Sequence, residues 1–297
     1  MATRIVITSP KGGDGRTTVA LNLGFAMARA NSSVLLVDLD PTSGLSAYLG
    51  GGRAPWVGLA DHLMGRVELS GALKASNLAT LRLLPVGRLD PCDAVHFQNA
   101  LVTGDALEAV LGAVDDDCDV ILVDAPAGAN EITRAALGSA SLTLPVVRAD
   151  PLSQRALPRL LYFLERVQQE ANQQLEILGM LPTVTDHQDR VVCAVVEALR
   201  IQYLKIQDVQ VPRSAQFVEA AQRGQPIDPA SGKAFAEFRV FEQLASTLQK
   251  RIDLRARQAA GEVVPHAGAM AANDPATMPA IDASAFLPFA PAPAVLS

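Results

Sequence analysis

Near the amino terminus the chain reads SPKGGDGRTT from Ser9 to Thr18, straight after the apolar run RIVIT. Glycines at 12, 13 and 15 allow successive backbone amides to turn inward around an anion. A helix starting just behind them adds partial positive charge. Laid over Pro10 to Thr17, the segment approximates the phosphate-binding pattern GxxxxGK[ST]. Two positions depart from it. Pro10 replaces the first glycine, and Arg16 replaces the lysine. Lysine is a compact charge on a flexible stem, whereas arginine is broad, planar and rigid. Arg16 is therefore expected to pair with phosphate oxygens at the cost of the best in-line geometry, so that binding persists while turnover slows. Thr17 would place its hydroxyl on Mg2+, with Thr18 completing the nucleotide-binding stretch. Asp14 sets a negative charge beside the phosphates. It either pairs with Arg16 or Lys11 across the loop or faces solvent. A tight strand-to-helix turn would use the same glycines.

Strand-like and helix-like segments alternate along most of the chain. RIVIT (4–8), SVLLVDLD (33–40), LRLLPV (81–86), DVILVDAP (119–126), LTLPVV (142–147), LEILGMLPTV (175–184) and IQDVQVP (206–212) read as strands. Helical spacing is expected over 17–30, 106–114, 152–170, 189–200 and 234–256. Near-continuous apolar strands are covered on both faces, which predicts an α/β fold with a doubly wound, mainly parallel sheet flanked by helices. In such sheets ligands sit at the carboxyl ends of the strands. Residues 8–18, 38–44 and 124–130 all lie there, so Asp38, Asp40 and Asp124 should share one mouth with the glycine loop.

The 297 residues carry a net charge of −6, which argues against a polyanion binder as a whole. Between Arg190 and Arg257, however, 11 Lys/Arg stand against 7 Asp/Glu, a local balance of +4. This is either a basic face or solvated helix surface. The three cysteines, Cys92, Cys118 and Cys193, are far apart and form no CxxC pair, so reduced, buried thiols are expected. The four histidines show no metal-ligand spacing. Met1 leads directly into a strand, with no signal peptide, and no apolar stretch reaches the roughly 20 residues of a membrane span. A cytoplasmic protein is expected, peripheral to the inner membrane only through partners. The organisation expected is one nucleotide-binding α/β domain over 1–257 and an Ala/Pro-rich disordered tail over 258–297. FLPF (286–289) in that tail is either a docking motif or a chance apolar cluster.

Lys11, immediately before Gly12-Gly13, gives the loop its KGG form. This resembles the deviant Walker A of the MinD/ParA superfamily of P-loop ATPases. VLLVDLDPTSG resembles that superfamily's second segment, and DVILVDAPAG its Walker B and switch segment. The resemblance covers about residues 3–250. It implies ATP and Mg2+ as cofactors and a homodimer formed across the nucleotide. By the same resemblance Lys11 crosses to the partner's nucleotide and Asp40 orients the attacking water. Asp38 and Asp124 support magnesium together with Thr17. Pro212 and Arg213 match the adenine-side loop, and Thr183 a nearby base-facing position.

Within the superfamily, DLDPTSGLSAYLG, GLADHLMG, LRLLPVGRLDPCD and RADPLSQRALPRL look like the BcsQ (YhjQ) branch of cellulose-biosynthesis proteins. That branch implies a nucleotide-dependent dimeric switch assisting a bacterial cellulose synthase complex, with synthase subunits and a small companion protein as partners. Two alternatives stand beside it. One is a ParA-type ATPase touching DNA through Arg190, Arg200, Arg213, Arg223 and Arg239. The other is a scaffold that binds nucleotide without hydrolysing it.

Overall fold

The computed structural model describes residues 1–42, 44–50, 56–87, 89–203, 206–228 and 235–259. Nine strands form one sheet: β1 (Thr3–Thr8), β2 (Val34–Asp38), β3 (Lys74–Ala75), β4 (Leu81–Leu84), β5 (Val120–Asp124), β6 (Leu142–Arg148), β7 (Glu176–Ile177), β8 (Leu181–Thr185) and β9 (Val211–Pro212). Their order is β3-β4-β2-β5-β1-β6-β8-β9, with β7 beside β6. Every pairing is parallel except β3 with β4.

The helices are α1 (Arg16–Arg29), α2 (Gly44–Gly50), α3 (Leu59–Leu63), α4 (Leu69–Ala72), α5 (Pro91–Val102), α6 (Ala106–Gly112), α7 (Glu131–Gly138), α8 (Pro151–Glu170), α9 (Arg190–Gln202), α10 (Ala215–Arg223) and α11 (Phe235–Ala259). Side chains alternate across the pleat, so each strand feeds two cores. Ile5, Ile7, Val34 and Leu36 pack with α1 residues and with Phe238, Phe241 and Leu244. Val6, Leu35, Val37, Ile121 and Val123 pack on the other face with Phe97, Leu107, Ile132, Leu157 and Leu199. Helices therefore cover both faces, as a doubly wound sheet requires.

The strands differ from expectation in several places: the short antiparallel β3 was not expected, and β2 and β5 end at Asp38 and Asp124 rather than at 40 and 126. The apolar run 175–184 is two strands, β7 and β8, separated at Gly179, whose φ is +102°. The run 206–212 pairs continuously only at Val211–Pro212, with one isolated bridge from Ile206 to Met180. Pro212 has no amide to donate, which suits it to a short edge strand. The segment 81–86 ends as a strand at Leu84, just before Pro85. Cys118 is buried as expected, but Cys193 is exposed.

Met1–Ile252 forms one compact unit. Of the second, Asp253–Ser297, the described part continues α11 to Ala259. The tail expected over 258–297 lies outside the described residues from position 260 on. Among the described residues, no helix is long and apolar enough to cross a membrane.

Candidate functional site

Strands β2, β5 and β1 are neighbours, and register brings their carboxyl ends level. Asp38 pairs with Asp124 and Ile7 with Asp124. The glycine loop leaves β1 at this level and enters α1. Gly13 and Gly15 take φ of +82° and +94°, a region that side chains with a Cβ rarely occupy. Gly15 is the N-cap of α1 and offers no side-chain cap, so the first amides of the helix remain open to a ligand. The segment after β5 is tied to the loop, with the Gly128 amide donating to the Ser9 carbonyl at 2.9 Å.

Arg16 is buried inside this mouth. Its Nη1 donates to Ser9 Oγ and, at 3.3 Å, to the Lys11 carbonyl. Its Nη2 reaches Asp40 Oδ2 at 3.4 Å, and its Nε lies 3.9 Å from Asp124 Oδ1. Neither that Nε nor that Oδ1 has a hydrogen-bond partner, although both atoms are buried. Thr17 donates its hydroxyl to the other Asp124 oxygen at 2.6 Å. Asp38, fully buried, accepts from the amides of Asp40 and Leu45 at 3.1 and 3.3 Å. Asp40 also takes the amide and hydroxyl of Thr42.

The two strand-end carboxyls are reluctant anions. Burial first, then the facing Asp124, pushes Asp38 well above the ordinary carboxylate range. Burial raises Asp124 to about 6, opposed by the Thr17 hydrogen bond and the Arg16 charge.

Lys11 does not point into open solvent. Its ammonium lies 3.2 Å from Asp14 Oδ1 and 3.4 Å from Asp150 Oδ2. Asp14 is completely buried and accepts the Ser153 hydroxyl at 2.8 Å. Of the alternatives for Asp14, solvent exposure is therefore wrong, and the partner is Lys11 rather than Arg16. Burial raises the Asp14 carboxyl, against the hydrogen bonds from Ser153 and Lys11. At Asp150 burial is outweighed by the Ser153 amide and the Lys11 charge, and the carboxyl is lowered.

Thr183 also departs from expectation. It is buried and donates its hydroxyl to the Asp14 carbonyl at 2.7 Å, so it props the loop from behind rather than facing a base. Pro212 lies in β9, in register with Thr185, and the exposed Arg213 donates its amide to the Thr185 carbonyl at 2.8 Å. Thr18 lies one residue deeper in α1, its carbonyl taken by Asn22. The residues that sequence reasoning passed over are Ser9, Asp150 and Ser153. Asp150 caps α8 by accepting from the amides of Leu152 and Ser153. The Asp-Pro pair opening that helix was the available signal.

The arrangement fits a magnesium nucleotide. A Cβ at Gly12 or Gly13 would meet nothing within 4 Å, so the loop's outer face is open. Thr17, Asp38 and Asp124 supply hard oxygen donors of the kind magnesium takes. Among the described residues no group of three His, Cys, Asp or Glu could hold a metal alone.

A parallel sheet with a glycine loop and two strand-end aspartates at one mouth defines a P-loop nucleotide-binding fold. A family model described as an AAA domain matches residues 2–177. The chromosome partitioning protein ParA of Caulobacter vibrioides is 31% identical over 229 residues, covering 75% of this chain and 85% of ParA. Two solved structures share the fold. One is a Cyanothece McdA(D38A)–ATP complex, at 22% identity and TM-score 0.72, covering 84% of this chain and 96% of that one. The other is the septum site-determining protein MinD from Pyrococcus horikoshii with Mg-ADP, at 23% identity and TM-score 0.69, covering 86% and 100%. The chain belongs to the MinD/ParA superfamily of P-loop ATPases.

Proposed function

We propose that the chain is a ParA-type switch that binds Mg-ATP, pairs with a second copy across the nucleotide, hydrolyses slowly and positions a cargo. The observation carrying this reading is the meeting of Lys11, Arg16, Thr17, Asp38, Asp40 and Asp124 at the carboxyl end of the central strands. The loop amides and the start of α1 hold phosphate, and Arg16 supplies the charge that lysine usually does. Magnesium, when bound, would supply charge neutralisation on the phosphates. Thr17, Asp38 and Asp124 would hold it. Asp40, two residues past the end of β2 and partly open to solvent, orients the attacking water. Pro212 and Arg213 border the base. Arg16 must leave Asp40 before that carboxylate is free, which is why turnover is slow.

The five arginines of the basic segment support a polyanionic cargo. Arg190, Arg200, Arg213, Arg223 and Arg239 are all exposed. Arg223 is partly neutralised by Glu219, 3.2 Å away. A second reading, assistance to a cellulose synthase complex at the inner membrane with a small companion subunit, rests on the BcsQ-like segments. A catalytically silent scaffold is the third, and Arg16 favours it.

The deciding experiment is a gel shift on nonspecific DNA with and without Mg-ATP. A shift that requires ATP and weakens steeply with salt supports the ParA reading. No shift at low salt removes DNA as the cargo and favours a protein partner.

A further inference from the structure

The loop residue between Gly13 and Gly15 points inward, against the start of α8. Asp14 there is fully buried. Its Oδ1 receives the Lys11 ammonium at 3.2 Å and the Ser153 hydroxyl at 2.8 Å, and its Oδ2 receives the Lys11 amide at 3.2 Å. Its own carbonyl is held by Thr183. Backbone and side chain are thus both fixed. Lys11 is its cationic partner among the described ion pairs, because Arg16 is turned the other way, towards Asp40 and Asp124. Asp150, also bound to Arg148 at 3.2 Å, lies 3.4 Å from the same ammonium.

We propose that Asp14 is a positioning residue that holds Lys11 within its own subunit and so restrains nucleotide-dependent pairing of two copies. The inference rests on the reading above, in which Lys11 reaches a partner's phosphates. A buried carboxylate whose counter-ion departs is left uncompensated, and that makes the departure costly. The Lys11 side chain is 31% exposed, so it is reachable from outside while bound from within. A partner's phosphates must therefore outcompete Asp14 and Asp150 for one ammonium. Asp14 sets the threshold because it is the more deeply buried and has no other cation to turn to among the described ion pairs. The surrounding geometry favours the latched arrangement: Ser153 and the Lys11 amide fix the carboxylate where the ammonium finds it.

The test is the dimer dissociation constant of the full chain by sedimentation with saturating Mg-ATP, with ATP affinity measured beside it. The variants are Asp14→Asn, Asp150→Asn, Lys11→Ala and the double variant Asp14→Asn/Lys11→Ala. Asparagine keeps the size and an acceptor for Ser153, and Asp150→Asn repeats the test at a partly exposed position should Asp14→Asn fold poorly. Asp14→Asn is expected to tighten the dimer on the order of tenfold, the size of one modest charge coupling. Asp150→Asn tightens it less. In the Lys11→Ala background the gain disappears, which a general loss of negative charge would not produce. An unchanged or weaker Asp14→Asn dimer overturns the proposal, and so does a gain that survives Lys11→Ala. If ATP binds but these constants do not move, only the latch falls. If no variant binds ATP, the functional reading falls as well.

Discussion

Replacing Arg16 by lysine tests how far the unusual residue limits this site. The guanidinium bridges Ser9 and the Lys11 carbonyl on one side and Asp40 on the other. A lysine at the same position ends in a single ammonium on a shorter reach, so it cannot span both sides. The contact it loses is the 3.4 Å pair with Asp40. A hydrogen bond between charged, largely buried groups contributes about 1.5–3 kcal/mol. The long distance and the partial exposure of Asp40 place this one at about 2 kcal/mol or less. Unliganded Arg16→Lys should therefore melt a few degrees lower, at about 2–4 °C per kcal/mol for a chain of this size. The same energy no longer opposes release of Asp40. Hydrolysis should rise by up to about thirtyfold, while ATP affinity moves by less than about tenfold, since either side chain can face phosphate. Steady-state phosphate release, fluorescent-ATP titration and thermal unfolding on the same preparations read all three. Loss of ATP binding, or equal or slower hydrolysis with affinity retained, would refute the claim that Arg16 substitutes for lysine while restraining Asp40.

Two further outcomes follow from the buried charges. Arg4 is held between Asp115 and Glu108, with Nε to Asp115 Oδ1 at 3.1 Å and Nη2 to Asp115 Oδ2 at 2.6 Å. Asp115→Ala leaves the buried guanidinium to the half-exposed Glu108 and the Ser139 carbonyl and should destabilise the fold by about 2–3 kcal/mol, seen in denaturant unfolding; a loss under about 1 kcal/mol would show that the pair is not structural. Asp124, raised to about 6 from an ordinary carboxyl value, stabilises the nucleotide-free fold most when protonated. That contribution is complete below the unfolded value and fades as pH rises through about 6. Compared with Asp124→Asn, the wild type should lose relative stability between about pH 4 and pH 7, and a difference that stays flat or grows with pH would contradict the assignment.

The sheet was legible because its strands are unbroken apolar runs, and buried parallel strands require little else. Strand-end positions of Asp38 and Asp124 followed from those runs, whereas Asp40, expected as the last strand residue, lies two residues beyond β2; the glycines marked the loop. Six helices, α2, α3, α4, α5, α7 and α10, were not anticipated. All but α5 run only four to nine residues, too short for a helical repeat to stand out along the chain. The cap at Asn130, accepting from Thr133, was a usable signal for α7. The break between β7 and β8 was missed although Gly179 marks it, because its neighbours Ile177, Leu178, Met180 and Leu181 are all apolar and read as one run. The Asp14–Ser153 contact spans 139 positions. No local pattern encodes it, since it depends on where β1 and β6 place the loop and α8. The same holds for Thr183, whose apolar neighbours suggest a strand but not that its hydroxyl faces the loop backbone.

The central claim is that this loop still holds Mg-ATP and that Asp40 uses it. Fluorescent-ATP binding with magnesium, run beside steady-state hydrolysis on wild type and Asp40→Ala, tests it most directly. The account predicts saturable binding by both proteins and hydrolysis by the wild type alone. Absence of saturable binding by the wild type, or hydrolysis undiminished in Asp40→Ala, would contradict it.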